Sequence, residues 1–146
     1  MRIITFILML ISSQVFAQNL YFGIPQDNQD ISSGDLLILN DIHWENGFSN
    51  FSNIGKQQIK KLATFLSKIE EKEIEIKVYS FYGGTELNQA ISERISEKIF
   101  DLLIEENENL KTMLKVEPCG STKTLFCEND DTFLYRMNTR IEIEIK

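Results

Sequence analysis

The chain has 146 residues, 42% hydrophobic and 25% charged, the make-up of an ordinary globular protein with room for one domain of typical size. Its formal charge of −7 disfavours binding to nucleic acid or an anionic lipid surface. The acidic runs around Glu70 to Glu75 and Glu105 to Glu108 flank predicted strands and helix ends and read as a solvated face.

At the N-terminus stand Arg2, an apolar run from Ile3 to Ile11, the polar Ser12-Ser13-Gln14 and the small-residue pattern Val15-Phe16-Ala17. That layout predicts a secretory signal peptide over residues 1–17, cleaved after Ala17. The apolar run is about half the ~20 residues that span a bilayer. No later segment reads as a membrane-spanning helix, and the repeated alternating strands of an outer-membrane barrel are not seen. No cysteine stands at the cleavage point to take a lipid. The chain is therefore expected to be exported and then periplasmic, associated with the outer membrane, or released.

Residues 18–34 are polar, carry Pro25 and contain Asp27-Asn28-Gln29-Asp30 and Ser32-Ser33-Gly34, which predicts a linker or N-terminal arm whose patch Leu20-Tyr21-Phe22 can pack on the domain. From Asp35 to Trp44, Leu36-Leu37-Ile38-Leu39 and Ile42-His43-Trp44 suit a buried strand. Ser52 or Asn53 then caps a helix whose apolar positions Ile59, Leu62, Phe65, Leu66 and Ile69 recur every three or four residues. Ile74, Ile76 and Val78 alternate with Glu75, Lys77 and Tyr79, the pattern of a strand with one covered face. Gly83-Gly84 turns the chain, and Thr85 opens a second helix with Leu87, Ile91, Ile99, Leu102 and Leu103 on a broad face.

Leu114 to Val116 reads as a short strand stopped by Pro118, and Ile141-Glu142-Ile143-Glu144-Ile145 as a closing alternating strand. The order βαβαβ with a closing strand predicts an α/β (α+β) two-layer sandwich, a mixed sheet with its helices on one face. Cys119 and Cys127, eight positions apart in an exported chain, are expected to pair in a disulfide worth about 2 to 3 kcal/mol. Their spacing is not Cys-x-x-Cys and the single histidine, His43, lies far back, so neither a metal nor a redox cofactor is indicated.

Two motifs carry more. Tyr79-Ser80-Phe81-Tyr82-Gly83-Gly84-Thr85-Glu86-Leu87-Asn88-Gln89-Ala90-Ile91-Ser92-Glu93-Arg94-Ile95 places a strand end, a glycine turn and an asparagine-marked helix in one order. Asn138-Thr139-Arg140-Ile141-Glu142-Ile143-Glu144-Ile145 ends the chain. Together with Ile42-His43-Trp44, Gly55 and Leu62, they resemble the OmpA-like peptidoglycan-binding domain over residues 35–146. The resemblance implies a non-enzymatic envelope module whose partner is the peptidoglycan stem peptide.

In that family an aspartate at the end of the second strand and an arginine on the second helix grip the amino and carboxylate groups of diaminopimelate. Counting from Asn88, the aspartate place holds Ser80 and the arginine place holds Ile95. Arg94 stands one residue early, a rotation of about 100° around the helix. A charge-assisted contact is worth roughly 1.5 to 3 kcal/mol, so losing both is expected to weaken stem-peptide binding by orders of magnitude. The candidate pocket that remains comprises Tyr79, Ser80, Gly83, Asn88, Ile95 and Arg140.

Two functions stay open on these residues. One is an envelope module that still associates with peptidoglycan, with altered or weakened diaminopimelate binding. The other is a scaffold that has become a protein-interaction or structural module, with an envelope protein as partner. Catalysis is not expected, because no serine or cysteine nucleophile has an evident base.

Overall fold

A computed structural model describes residues 19–26, 30–45, 48, 50–69, 73–127 and 136–146 of the chain. The signal peptide expected over residues 1–17 lies outside the described residues. The elements are β1 (Leu20–Phe22), β2 (Leu36–Leu39), α1 (Asn53–Leu66), β3 (Ile74–Tyr79), α2 (Thr85–Glu106), a 3-10 turn (Glu108–Thr112), β4 (Leu114–Gly120) and β5 (Arg140–Ile145). Among the described residues the strands form one mixed sheet in the order β1-β2-β5-β3-β4. β5 runs antiparallel between β2 and β3, while β1 with β2 and β3 with β4 are parallel. Both helices pack on one face, so the architecture is the two-layer α+β sandwich that the element order predicts.

Period-two alternation sorts the central strands. Ile74, Ile76 and Val78 of β3 and Ile141, Ile143 and Ile145 of β5 enter the core with the buried faces of α1 and α2. The opposite sheet face carries Glu75, Lys77 and Tyr79 beside Glu144, Glu142 and Arg140, their direct cross-strand partners. The predicted stripe is buried as expected, with Ile59, Leu62, Phe65 and Leu66 of α1 and Ile69, just past its end, all in the core. Truncating any one of these to alanine costs about 2–5 kcal/mol in a well-packed interior.

α2 departs from its predicted face. Leu87 is 52% exposed, whereas Ser92 and Ser96 are buried. The reason is a close polar contact with β4: Ser92 Oγ accepts from Gly120 N at 3.0 Å and donates to Gln89 O at 2.9 Å. A Cβ on Gly120 would stand 2.8 Å from Gln89 Oε1. Small side chains let helix and strand approach here, and a leucine would hold them apart.

Three strand predictions change. The patch Leu20-Tyr21-Phe22 forms β1 at the sheet edge, held where Asn19 N and Ser32 N donate to the Asp35 carboxylate at 3.0 and 2.9 Å. Burial alone would raise the Asp35 carboxyl, but the hydrogen bonds from Ser32 and Asn19 hold it below its ordinary value. The strand expected through Trp44 ends at Leu39, and Trp44 makes only an isolated bridge to Phe51. β4 runs past Pro118 to Gly120. Ile74 N donates to Met113 O, which in a parallel ladder turns the Pro118 nitrogen away from β3, so the missing N–H breaks no ladder bond.

The α1 start fixes a second close approach. Ser52 caps the helix by accepting from Gly55 N at 3.1 Å, and its hydroxyl donates to His43 O at 3.3 Å. A Cβ on Gly55 would overlap the backbone oxygen of His43. Gly55→Ala is therefore expected to destabilise the fold by about 1–3 kcal/mol, the range of core overpacking. Urea unfolding checks this, and an unchanged midpoint would refute the close approach.

The polar sheet face offers a pH test. Glu75 is held by Lys115 at 2.9 Å, Lys146 at 3.0 Å and Lys77 at 3.2 Å. Lys115 and then Lys146 lower its carboxyl from 4.5 to about 2 against the opposing effect of burial. A depressed folded value means that the stabilisation is full above 4.5 and is lost as pH falls toward about 2. The stability gap between wild type and Glu75→Gln is expected to shrink across that window. A gap independent of pH would contradict the cluster.

Candidate functional site

Three segments converge at the C-terminal end of β3: the turn 80–84, the loop 40–45 and the strand entry 138–140. Asn88 organises the turn from inside α2. Its Oδ1 accepts from Tyr82 N at 2.8 Å and Gly83 N at 3.1 Å, and its Nδ2 donates to Gly83 O at 2.8 Å. Thr139 Oγ1 accepts from Phe81 N at 3.0 Å, and Ser80 N donates to Gly120 O at 2.8 Å. The turn is thus pinned from α2, β4 and the start of β5.

The two places where the resembled family keeps opposite charges are closed. Ser80 is fully buried and its Oγ has no hydrogen-bond partner, while Ile95 is 3% exposed and belongs to the core. A cavity of about 50 Å³ remains, lined by Tyr79, Ile95 and Arg140 together with Ile42, Trp44 and Tyr82. Ile42, Trp44 and Tyr82 also line a shallower surface pocket of about 580 Å³ with Asp41, His43, Glu45 and Phe48. Ser80, Gly83 and Asn88 do not line the small cavity. The structure therefore brings together three of the six expected pocket residues and places Ser80 and Gly83 in the turn beside them and Asn88 in the first turn of α2.

Arg140 is engaged by its own strand. Nε donates to Glu142 Oε1 at 2.8 Å, and Nη1 donates to Asn138 O at 2.8 Å and Lys123 O at 3.2 Å. Nη2 lies 2.7 Å from the same carboxylate oxygen but off the hydrogen-bond line. The guanidinium stacks 4.0 Å over the Tyr79 ring. Burial, then the Glu142 charge, push the Tyr79 phenol well above its ordinary range. The Glu142 partnership was visible in principle, because residues two apart on a strand share a face.

An aromatic cluster covers the mouth. Trp44 packs on Phe51 at 3.9 Å between ring centroids, and Phe48 on Tyr82 at 4.5 Å. Phe48 adopts a φ of 56°, which a bulky residue rarely does, and this left-handed turn lays its ring on Tyr82. Gln58 pins the loop below, accepting from His43 N and donating to Asp41 O.

The structure shows no bond between Cys119 and Cys127, the pair expected to form a disulfide. Cys119 Sγ is directed at Glu117 O, 3.7 Å away, rather than along the loop. Burial, then Glu117, raise its thiol above the ordinary value, so it stays protonated. Among the described residues no cluster of three His, Cys, Asp or Glu is placed to hold a metal, and no helix is long and apolar enough to cross a membrane.

Solved structures share this fold. The periplasmic domain of Helicobacter pylori MotB is 18% identical, with a TM-score of 0.65 over 81% of this chain and 86% of that one. A putative MotB-like protein from Desulfovibrio vulgaris is 15% identical, with a TM-score of 0.62 over 73% and 70%. The cell wall anchor of the T6SS from Pseudomonas aeruginosa is 15% identical, with a TM-score of 0.62 over 75% and 79%. At such identities the likeness establishes the fold. No protein-family profile and no curated protein matches the chain.

Proposed function

We propose that the chain is a non-enzymatic, exported module of the cell envelope, built on the OmpA-like fold, whose diaminopimelate clamp has been dismantled. Its fold, shared with a periplasmic domain and a cell wall anchor, and the ordered motifs from Trp44 to Arg140 support an envelope role. The observation that carries the dismantled clamp is the pair Ser80 and Ile95, both buried, beside a cavity of about 50 Å³. A zwitterionic ligand needs opposite charges at a fixed separation, and here neither charge is present. Arg140 offers no substitute, since Glu142 already neutralises it.

Association with peptidoglycan then proceeds without the stem-peptide clamp, through surface contacts. The small cavity equally favours a second reading, a scaffold kept for contact with another envelope protein. Calorimetric titration with free diaminopimelate tests the shared premise. No saturable heat is expected from the wild type, and a millimolar or tighter one-site isotherm would overturn it.

A further inference from the structure

On the other side of α2 lies a groove of about 510 Å³ between this helix and β4. Its wall is an acidic row, Glu93, Glu97 and Asp101, all exposed, and its floor is Val116 and Pro118. No ion pair neutralises this row among the described residues; Glu93 is oriented by Gln89 Nε2, which donates to it at 3.0 Å. Between the carboxylates sits Ser96, 6% exposed, lining the groove with an Oγ that has no hydrogen-bond partner.

β4 is the edge of the sheet, and among the described residues no strand pairs with its outer side. Because Ile74 N bonds Met113 O, the parallel ladder turns the amides of Leu114 and Val116 outward. Lys115 and Glu117, the charges that ordinarily guard an edge, belong to the opposite sheet face, where Lys115 bonds Glu75. The open edge therefore lies beside the acidic wall.

We propose that this groove takes an extended basic segment of a partner protein, with lysine or arginine at alternate positions, added as a strand to β4. The periodicities match. Four residues of α2 advance about 6 Å, and two residues of an added strand advance about 6.7 Å, so each second side chain meets the next carboxylate. β3, α2 and β4 form a parallel crossover unit, which lays the helix along the strand. Pro118 has no amide to offer and ends the pairing, which sets the register at Val116. A second copy of this chain is the poorer occupant, because its own acidic row would face this one. The proposal stands apart from the Ser80 and Ile95 site and does not depend on wall association.

The probe is a short acetylated peptide alternating lysine and valine, with a control peptide of the same composition whose lysines form one block. Amide shifts and hydrogen exchange are followed by NMR on the wild type, on Glu93→Gln/Glu97→Gln/Asp101→Asn, and on Glu45→Gln/Glu73→Gln/Glu108→Gln, which removes the same charge elsewhere. The alternating peptide is expected to protect the Val116 amide and to bind about tenfold more weakly to the groove variant. The control variant is expected to stay within about twofold of wild type. Equal losses in both variants, equal binding of both peptides, shifts mapping away from β4, or self-association through β4 would each overturn the assignment.

Discussion

Arg140→Ala is expected to lower unfolding free energy by about 3–5 kcal/mol, one of the two largest losses from a single substitution in this chain. Arg140 is 2% exposed and Glu142 5%, so truncation leaves a buried carboxylate with only the exposed Lys123, 3.9 Å away, as its remaining cation. It also removes the cap over Tyr79 and the donor to Asn138 O and Lys123 O, which ties the 121–127 segment to β5. Urea unfolding measures the loss directly. Replacing both partners, as Arg140→Met with Glu142→Leu, is expected to recover most of it, because an apolar pair leaves no charge uncompensated. A loss below about 1 kcal/mol for Arg140→Ala would mean that the pair behaves as a surface ion pair. The same reasoning shows that Arg140→Ala reports on folding before it reports on any ligand.

Ile95→Arg is the second. The side chain is 3% exposed among Ile91, Ile99 and the inner residues of β3, and a guanidinium there meets only the small cavity that Ile95 lines, with no carboxylate on its wall. The expected cost is about 3 kcal/mol or more, the range for an uncompensated buried charge. Ser80→Asp supplies the missing anion at the family's other place. In the double variant, thermal unfolding is expected to show favourable coupling, with the pair losing about 1.5–3 kcal/mol less than the two single losses summed. Strict additivity would mean that the two places no longer face one another.

Sequence patterns carried the central sheet and α1 well, because Ile74 to Tyr79 and Ile141 to Ile145 alternate cleanly and the α1 stripe repeats at three and four residues. They carried α2 less well. Its buried face contains Asn88, Ser92 and Ser96, which periodicity in hydrophobicity cannot register, and Leu87 is exposed over the turn instead. β1 is too short to alternate and is placed by tertiary contacts, its parallel ladder with β2 and the bond from Asn19 N to the Asp35 carboxylate. Pro118 misled because proline stops a central strand but not the outer side of an edge.

At the candidate site, counting from Asn88 located Ser80 and Ile95, and both are buried in the structure. That Asn88 holds the turn shows in its hydrogen bonds to Tyr82 and Gly83, which no spacing reveals. Loop length allows Cys119 and Cys127 a bridge, but spacing does not reveal that β4 directs the Cys119 Sγ at Glu117 O.

The most direct test is co-sedimentation with purified peptidoglycan, with and without free diaminopimelate as competitor, for wild type and for Ser80→Asp/Ile95→Arg that retains a cooperative unfolding transition. A dismantled clamp predicts that diaminopimelate leaves the sedimenting fraction of wild type unchanged and releases the double variant. Release of the wild type by free diaminopimelate would contradict it, since the pocket would then still hold the stem peptide without its two charges.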